Sequence, residues 1–303
     1  MTDQRHDPGP DVAAERAAGV LDAAVQPLRL ADGAATIRLG TSSWTDPTMT
    51  AGNVFYPPGA DSAEERLNYY ASQFPVVEVD ATYYALPVRR TSELWVQRTP
   101  PDFVFDVKAH ALLTGQPTET KRLPKYLRDE LPAELHEKRR IYARDLPAVL
   151  RDAVWAAFLD GLEPLRESGQ LGAVILQYPR WFFPISESRD AILEARQRLG
   201  EQRFAVELRN ASWFNDKNAE RTLRFLSDNS IPFVIVDEPQ GMKSSVPPIT
   251  AVTSPELAEW APRLLEASRE TREMHVLMNN CYANYGATNA RELARLLSDL
   301  KPA

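Results

Sequence analysis

Short apolar runs rich in β-branched and aromatic residues alternate with longer amphipathic segments from Ile37 onwards. The apolar runs predict strands over Ile37–Gly40, Val76–Asp80, Phe103–Lys108, Ala173–Gln177, Phe204–Leu208, Phe233–Asp237 and His275–Asn279. The segments with helical periodicity predict helices over Ser62–Phe74, Thr91–Arg98, Ala148–Ser168, Ser188–Leu199, Asn218–Asn229, Pro255–Glu273 and Ala287–Leu297. Repeated strand–helix alternation is typical of a parallel sheet with right-handed crossovers.

The number of predicted strands favours one α/β fold, a TIM-type (β/α)8 barrel, over an open sheet. No G-x-G-x-x-G motif follows the first predicted strand, which counts against a dinucleotide-binding fold. Between Asp237 and His275 only one helix is evident, and Ile249–Thr253 is the single short strand candidate. We therefore expect the seventh strand of the barrel to be missing or irregular.

Two segments interrupt this alternation. Residues 1–35 include an Ala-rich stretch and are predicted to form an N-terminal helical extension, which leaves residues 36–303 as one barrel domain. Residues 110–147 form an insert that, from Lys121 to Arg144, carries eight Lys or Arg residues against four acids. This insert is either a solvated helical excursion or a basic flap that attracts an anionic ligand.

Composition narrows the class of protein. Of the 303 residues, 44% are hydrophobic and 25% are charged, as in an ordinary globular protein. No apolar run approaches the roughly 20 residues of a membrane span, so we expect no membrane partner. The polar first ten residues predict a cytoplasmic protein without a secretory signal. A formal charge of −7 makes nucleic acid a less favoured partner than a small-molecule substrate.

Charged and amide side chains stand at the C-terminal ends of the predicted strands, where the site of a parallel barrel lies. We predict Glu207, Glu78, Asp80 and Lys108 as catalytic residues. Side chains alternate along a strand, so Glu78 and Asp80 share a face. The alternative is structural, because charges inside apolar strands also pair with one another to stabilise the barrel mouth.

Polar and aromatic residues near the same strand ends are predicted to bind the substrate: Trp44, Tyr83, Gln177, Arg209, Trp213, Asp237, Asn279 and Asn280. Aromatic rings at a barrel mouth can stack on sugars or nucleobases, although each ring alone is more often a packing residue. The four histidines show no metal-ligand spacing, so no metal site and no cofactor are predicted.

Six motifs in this order resemble the domain-of-unknown-function 72 family, also called YecE-like. They are GTSSW (40–44), FYPPG (55–59), VEVDATYY (77–84), FVFDVK (103–108), VELRNASW (206–213) and Asn279-Asn280, and the resemblance runs from about residue 37 to 298. It implies a TIM-type barrel in a bacterial cytoplasmic protein, and it implies no established activity.

The resemblance also implies an Arg-x-His-Gly strand after the Ser-Ser-Val-Pro-Pro segment. Here Ser244–Pro248 runs through Ile249–Thr253 almost directly into the helix that begins at Pro255. Either the strand is truly deleted or a stretch is omitted from the sequence. A true deletion would cost the site an arginine and a histidine.

Three functions fit these residues. The first is a hydrolase of a sugar- or phosphate-containing substrate, with Glu207 and either Glu78 or Asp80 as acid and base, and with Arg209 and Lys108 binding negative charge. The second is a lyase or aldolase in which Lys108 forms a Schiff base. The third is a binding module for a nucleotide or nucleic acid, motivated by the basic insert. The oligomeric state is not predicted.

Overall fold

The computed structural model describes residues 24–30, 35–50, 55–236, 257–279 and 285–299. The strands are β1 (Leu28–Arg29), β2 (Thr36–Ser42), β3 (Val76–Val79), β4 (Val104–Lys108), β5 (Thr118–Glu119), β6 (Arg140–Ile141), β7 (Leu171–Tyr178), β8 (Phe204–Leu208) and β9 (Glu273–Met278). The helices are α1 (Pro47–Thr50), α2 (Ala63–Gln73), α3 (Ala81–Tyr84), α4 (Arg89–Gln97), α5 (Lys125–Asp129), α6 (Ala133–His136), α7 (Ala148–Glu167), α8 (Ser186–Leu199), α9 (Ala219–Asp228), α10 (Leu257–Ser268) and α11 (Tyr285–Asp299). None of these helices is long and apolar enough to cross a membrane.

The chain has a mixed α/β fold, as predicted, and divides into two compact units. Unit 1 comprises Met1–Val79, Trp95–Phe105 and Pro255–Ala303. Unit 2 comprises Asp80–Leu94 and Asp106–Ser254. Strand β4 contributes residues to both units.

Strand β2 is central to unit 1. It pairs in parallel with β9 along Thr36–Thr41 and with β3 at Thr41 and Ser42, and it pairs antiparallel with β1. Every residue of β3 is buried, which matches its uninterrupted apolar character apart from Glu78. At Gly40 a Cβ atom would lie 2.1 Å from the carbonyl oxygen of Val76, so only glycine allows these strands to approach so closely.

Strands β7 and β8 form the parallel pair in unit 2, with Gln177 opposite Glu207. The end of β4 adjoins β7, since the Ala109 N–H donates to the Ile175 carbonyl at 2.9 Å. Asp106 on β4 accepts a hydrogen bond from the Ala173 N–H at 2.7 Å, which satisfies one oxygen of a buried carboxylate.

The basic insert is part of unit 2 and is built of short elements. It contains 3-10 turns over Ala111–Thr114, Thr120–Arg122 and Ala143–Asp145, the helices α5 and α6, and the antiparallel pair β5–β6. Buried leucines, Leu123, Leu127, Leu131 and Leu135, anchor this segment. The insert is therefore a packed substructure as well as a solvated, basic one.

Six of the seven predicted strands are confirmed, with each boundary shifted by at most two residues. The exception is Phe233–Asp237: within the described residues, this run makes one isolated bridge, from Phe233 to Val206 on β8. The side chain of Ile235 is exposed, so the apolar run is not fully buried as its composition predicted. Asp237, the candidate strand Ile249–Thr253 and residues 1–23 lie outside the described residues, whereas β1 formed without being predicted.

Candidate functional site

An ion pair lies at the beginning of α3 and the end of β4. Asp80 is the N-cap residue of α3, and its Oδ1 lies 2.7 Å from Lys108 Nζ. Lys108 is only 8% exposed, and a buried ammonium group requires a partner of this kind. The Thr82 hydroxyl donates to the Lys108 carbonyl at 2.6 Å, which fixes the turn that carries Asp80 against the end of β4.

Two hydrogen bonds connect Tyr83 on α3 with Gln177 on β7 through Gln116. The Tyr83 hydroxyl donates to Gln116 Oε1 at 2.8 Å, and Gln116 Nε2 donates to the Gln177 carbonyl at 2.9 Å. Burial, with the nearby Tyr84 hydroxyl, raises the pKa of Tyr83, while the Lys108 charge opposes that rise. Tyr83 therefore remains a protonated donor at neutral pH and lies within electrostatic reach of Lys108.

Glu207 receives two hydrogen bonds on one oxygen. Gln177 Nε2 donates to Glu207 Oε1 at 2.7 Å, and Arg209 Nε forms a charge-assisted hydrogen bond to the same Oε1. The parallel register of β7 and β8 places Gln177 beside Glu207, and alternation along the chain places Arg209 on the same side as Glu207. Glu207 is 4% exposed, so both donors compensate for the burial of its charge.

The Asp80–Lys108 ion pair and the hydrogen bonds from Tyr83 to Arg209 together form a polar network within unit 2. The backbone joins the two parts, because the Tyr83 N–H donates to the Asp80 carbonyl at 3.0 Å. The hydrogen bonds then run from Tyr83 through Gln116 to the carbonyl of Gln177, whose side chain in turn donates to Glu207 beside Arg209. Linked hydrogen bonds at low local dielectric strengthen one another, and they hold each side chain in a defined orientation.

Sequence reasoning did not identify Gln116, which connects the two halves of the network. Gln116 follows a 3-10 turn in the basic insert, where the alternation of a strand gives no information about side-chain direction. Its Nε2 also donates to the Thr114 hydroxyl at 3.1 Å, and Gln116 is buried. Gln116 lies eight residues beyond Lys108, between Gly115 and Pro117, and no sequence pattern there indicates a site residue.

Three predicted site residues belong to unit 1. Glu78 on β3 is buried, and its carbonyl accepts from the Ser43 N–H at 2.8 Å. Trp44 is 8% exposed and packs edge-on against Trp95, with a centroid distance of 5.7 Å. Asn279 is exposed directly after β9. Two further predicted site residues, Asp237 and Asn280, lie outside the described residues.

Trp213 is a core residue of unit 2. Its side chain is 0% exposed, stacks on Phe182 at 5.8 Å and donates from Nε1 to the Phe182 carbonyl at 2.6 Å. A ring enclosed in this way has no free face on which a sugar or base could stack. Because Trp213 lies near the end of a strand, the sequence predicted that its ring binds the substrate. The 3-10 turn over Ala211–Trp213 instead directs the indole into the core.

The described part of the chain contains no group of three His, Cys, Asp or Glu side chains close enough to hold a metal ion. The histidine nearest the network in sequence, His110, is 0% exposed and caps the turn over Ala111–Thr114 through Nδ1. The network itself offers carboxylates, cations, amides and a phenol for chemistry.

Comparison with known proteins identifies the family. The family model "Protein of unknown function DUF72" matches residues 38–302. The chain belongs to the DUF72 family. The resemblance noted in the motifs is thereby confirmed, and the family description carries no activity.

Relatives of this DUF72 protein are known from bacteria. The UPF0759 protein YunF of Bacillus subtilis (strain 168) is 27% identical over 297 residues, covering 86% of this chain and 94% of YunF. A DUF72 family crystal structure from Thermotoga maritima MSB8 has a TM-score of 0.63 at 25% identity, covering 87% of this chain and 99% of that one. Another, from Enterococcus faecalis V583, has a TM-score of 0.65 at 24% identity, covering 86% of this chain and 97% of that one.

Proposed function

We propose that this DUF72 protein is an enzyme that hydrolyses a small sugar- or phosphate-containing substrate at the network from Asp80 to Arg209. The observation that carries the proposal is the environment of Glu207. Both of its described hydrogen bonds fall on Oε1. This arrangement fixes the carboxylate and leaves Oε2 to exchange a proton with a substrate or with water.

The other groups of the network take complementary roles. Asp80 is the second carboxylate, and we prefer it to Glu78 because Asp80 and Glu207 belong to the same compact unit and Asp80 pairs with a cation there. Lys108 and Arg209 stabilise negative charge on the substrate or on the transition state. Tyr83 and Gln177 orient the substrate through hydrogen bonds. Trp44 and Trp213 are left out of the proposed site because both rings are packed in the core.

A lyase that uses Lys108 as a Schiff-base nucleophile is less well supported. The Asp80 carboxylate at 2.7 Å stabilises the ammonium form of Lys108, whereas an attacking amine must be neutral. Borohydride trapping with small ketones would reveal such a lyase as a mass increase on Lys108. A binding module without turnover is supported only by the basic insert.

We also propose that the α/β fold is a complete TIM-type (β/α)8 barrel. We propose further that the protein is bacterial and cytoplasmic. The parallel pairs β9–β2, β2–β3 and β7–β8 support the barrel, as does the bridge from Phe233 to β8. The bacterial origin of the relatives supports the source. An experimental structure with eight closed strands would establish the barrel.

The test is a screen of the purified protein against chromogenic glycosides and phosphoesters. For any substrate that is turned over, Glu207→Gln should lower kcat by about a hundredfold or more, because positioned acid–base groups contribute about 10²–10⁴ in rate. Glu201→Gln is the matched control, since Glu201 is exposed in the turn before β8. Full activity in Glu207→Gln would remove Glu207 from the mechanism.

A further inference from the structure

The basic insert carries a cavity of its own, which is partly open to solvent. The cavity has a volume of about 540 Å³ and lies between the turn over Thr120–Arg122 and the helices α5 and α6. This volume is within the range of small-molecule pockets. None of the network residues lines it, so the inference drawn from it does not rest on the proposed function.

Positive charge predominates around the cavity. The cations that line it are Lys121, Lys125, Arg128, Lys138 and Arg139, with His136 beside them, and the lining acids are Glu119, Asp129 and Glu137. Glu119 lies 3.5 Å from Lys121 and 3.8 Å from Arg139, and Asp129 lies 2.5 Å from Lys125, so these pairs engage three of the five lining cations as well as two of the three lining acids. The cavity is therefore a region of net positive charge in a chain whose formal charge is −7.

Arg128 supplies the specific signal for a ligand. Its side chain is half-buried, and its Nε is buried without a hydrogen-bond partner among the described residues. Arg128 also lines the cavity, so an anion bound there lies beside its guanidinium charge. The planar fork of an arginine matches the oxygens of a phosphate or carboxylate group.

We propose that this cavity binds the phosphate group of a phosphorylated small molecule. Arg128 donates to the phosphate oxygens, and Lys138, whose side chain is exposed at the rim, adds charge. A phosphate monoester carries nearly two negative charges at neutral pH, which suits the excess of lining cations over lining acids. The cavity is larger than inorganic phosphate requires, so a small organic group also fits.

Isothermal titration calorimetry with the full-length protein tests this proposal. The probes are inorganic phosphate and ribose 5-phosphate, with ribose as the uncharged control. We expect ribose 5-phosphate to bind with Kd below about 1 mM, and ribose to give no heat. Arg128→Gln should weaken binding about tenfold or more, and Lys138→Gln should weaken it by a smaller factor.

The matched control is Arg140→Gln, which removes the same charge from an exposed residue of β6 that does not line the cavity. Its affinity should stay within about twofold of the unmodified protein. The proposal is overturned if neither phosphate probe binds, if Arg128→Gln and Lys138→Gln both bind normally, or if Arg140→Gln loses as much affinity as Arg128→Gln. Binding of a single-stranded oligonucleotide without binding of ribose 5-phosphate would also overturn it, in favour of a nucleic-acid surface.

Discussion

Glu207 and Trp213 lie close together in sequence, yet their surroundings give them different roles. Glu207 is a buried charge held by a neutral amide and a guanidinium, both of which contact Oε1, and we propose that Oε2 takes part in the reaction. Trp213 is a buried ring whose only polar atom is satisfied by a backbone carbonyl. Residue type alone therefore does not distinguish a candidate site residue from a packing residue. The contacts that the polar atoms of the side chain make are needed as well.

Trp213→Phe is expected to destabilise the protein by about 2 kcal/mol, because it removes a buried hydrogen bond and part of a packed ring. Trp181→Phe is the matched control: Trp181 is 56% exposed, and its substitution should change the free energy of unfolding by less than about 0.5 kcal/mol. Urea denaturation of both variants measures the difference. Equal stability of the two variants would contradict a packing role for Trp213.

His110 should make the stability of the protein depend on pH. Burial lowers the pKa of His110 to about 4, against about 6.5 in the unfolded chain. The unfolded state therefore binds more protons between these values, so stability is complete above about pH 6.5 and declines as the pH falls towards 4. The loss between about pH 7.5 and about pH 5 is about 2 kcal/mol.

His110→Asn checks this dependence, since the asparagine oxygen can still accept the hydrogen bond from the Leu112 N–H but does not titrate. The variant should lose less stability than the unmodified protein when the pH is lowered from about 7.5 to about 5. His136→Asn, at an exposed position, should retain the original dependence. An unchanged dependence in His110→Asn would show that His110 is not the responsible group.

At the scale of elements, close packing overrides helix propensity at Gly161. This residue lies in α7, and a Cβ added to it would lie 2.3 Å from the carbonyl oxygen of Pro87. The Ser92 hydroxyl donates to the Gly161 carbonyl at 2.6 Å, which fixes the helix at this approach. The helical pattern of residues 148–168 predicted α7, but it did not indicate which face requires a glycine.

Gly161→Ala should therefore destabilise the protein by about 1–3 kcal/mol, although alanine favours a helix by about 1 kcal/mol. Ala156→Gly, on the exposed face of the same helix, should cost about 1 kcal/mol through propensity alone. Thermal unfolding of the two variants separates these effects. A Gly161→Ala variant more stable than the unmodified protein would disprove the close approach to Pro87.

At the scale of the whole molecule, the sequence allowed us to predict the features that depend on hydrophobic periodicity, chiefly the positions of strands and helices. Strands such as Phe204–Leu208 were located because β-branched and aromatic residues cluster between turns, and parallel pairing then brought Gln177 beside Glu207. The pairing of Lys108 with Asp80 follows from a helix that begins directly after β3, which strand alternation does not describe. Gln116 was missed because its position depends on the tertiary course of the insert.

The central claim is that the network from Asp80 to Arg209 transforms a small molecule through Glu207. The most direct test incubates the full-length protein with a cell extract and compares metabolites by mass spectrometry among the unmodified protein, Glu207→Gln and Glu201→Gln. We predict that at least one metabolite is consumed by the unmodified protein and by Glu201→Gln, and that it persists with Glu207→Gln. Equal consumption by Glu207→Gln, or no consumption by the unmodified protein, would contradict the account.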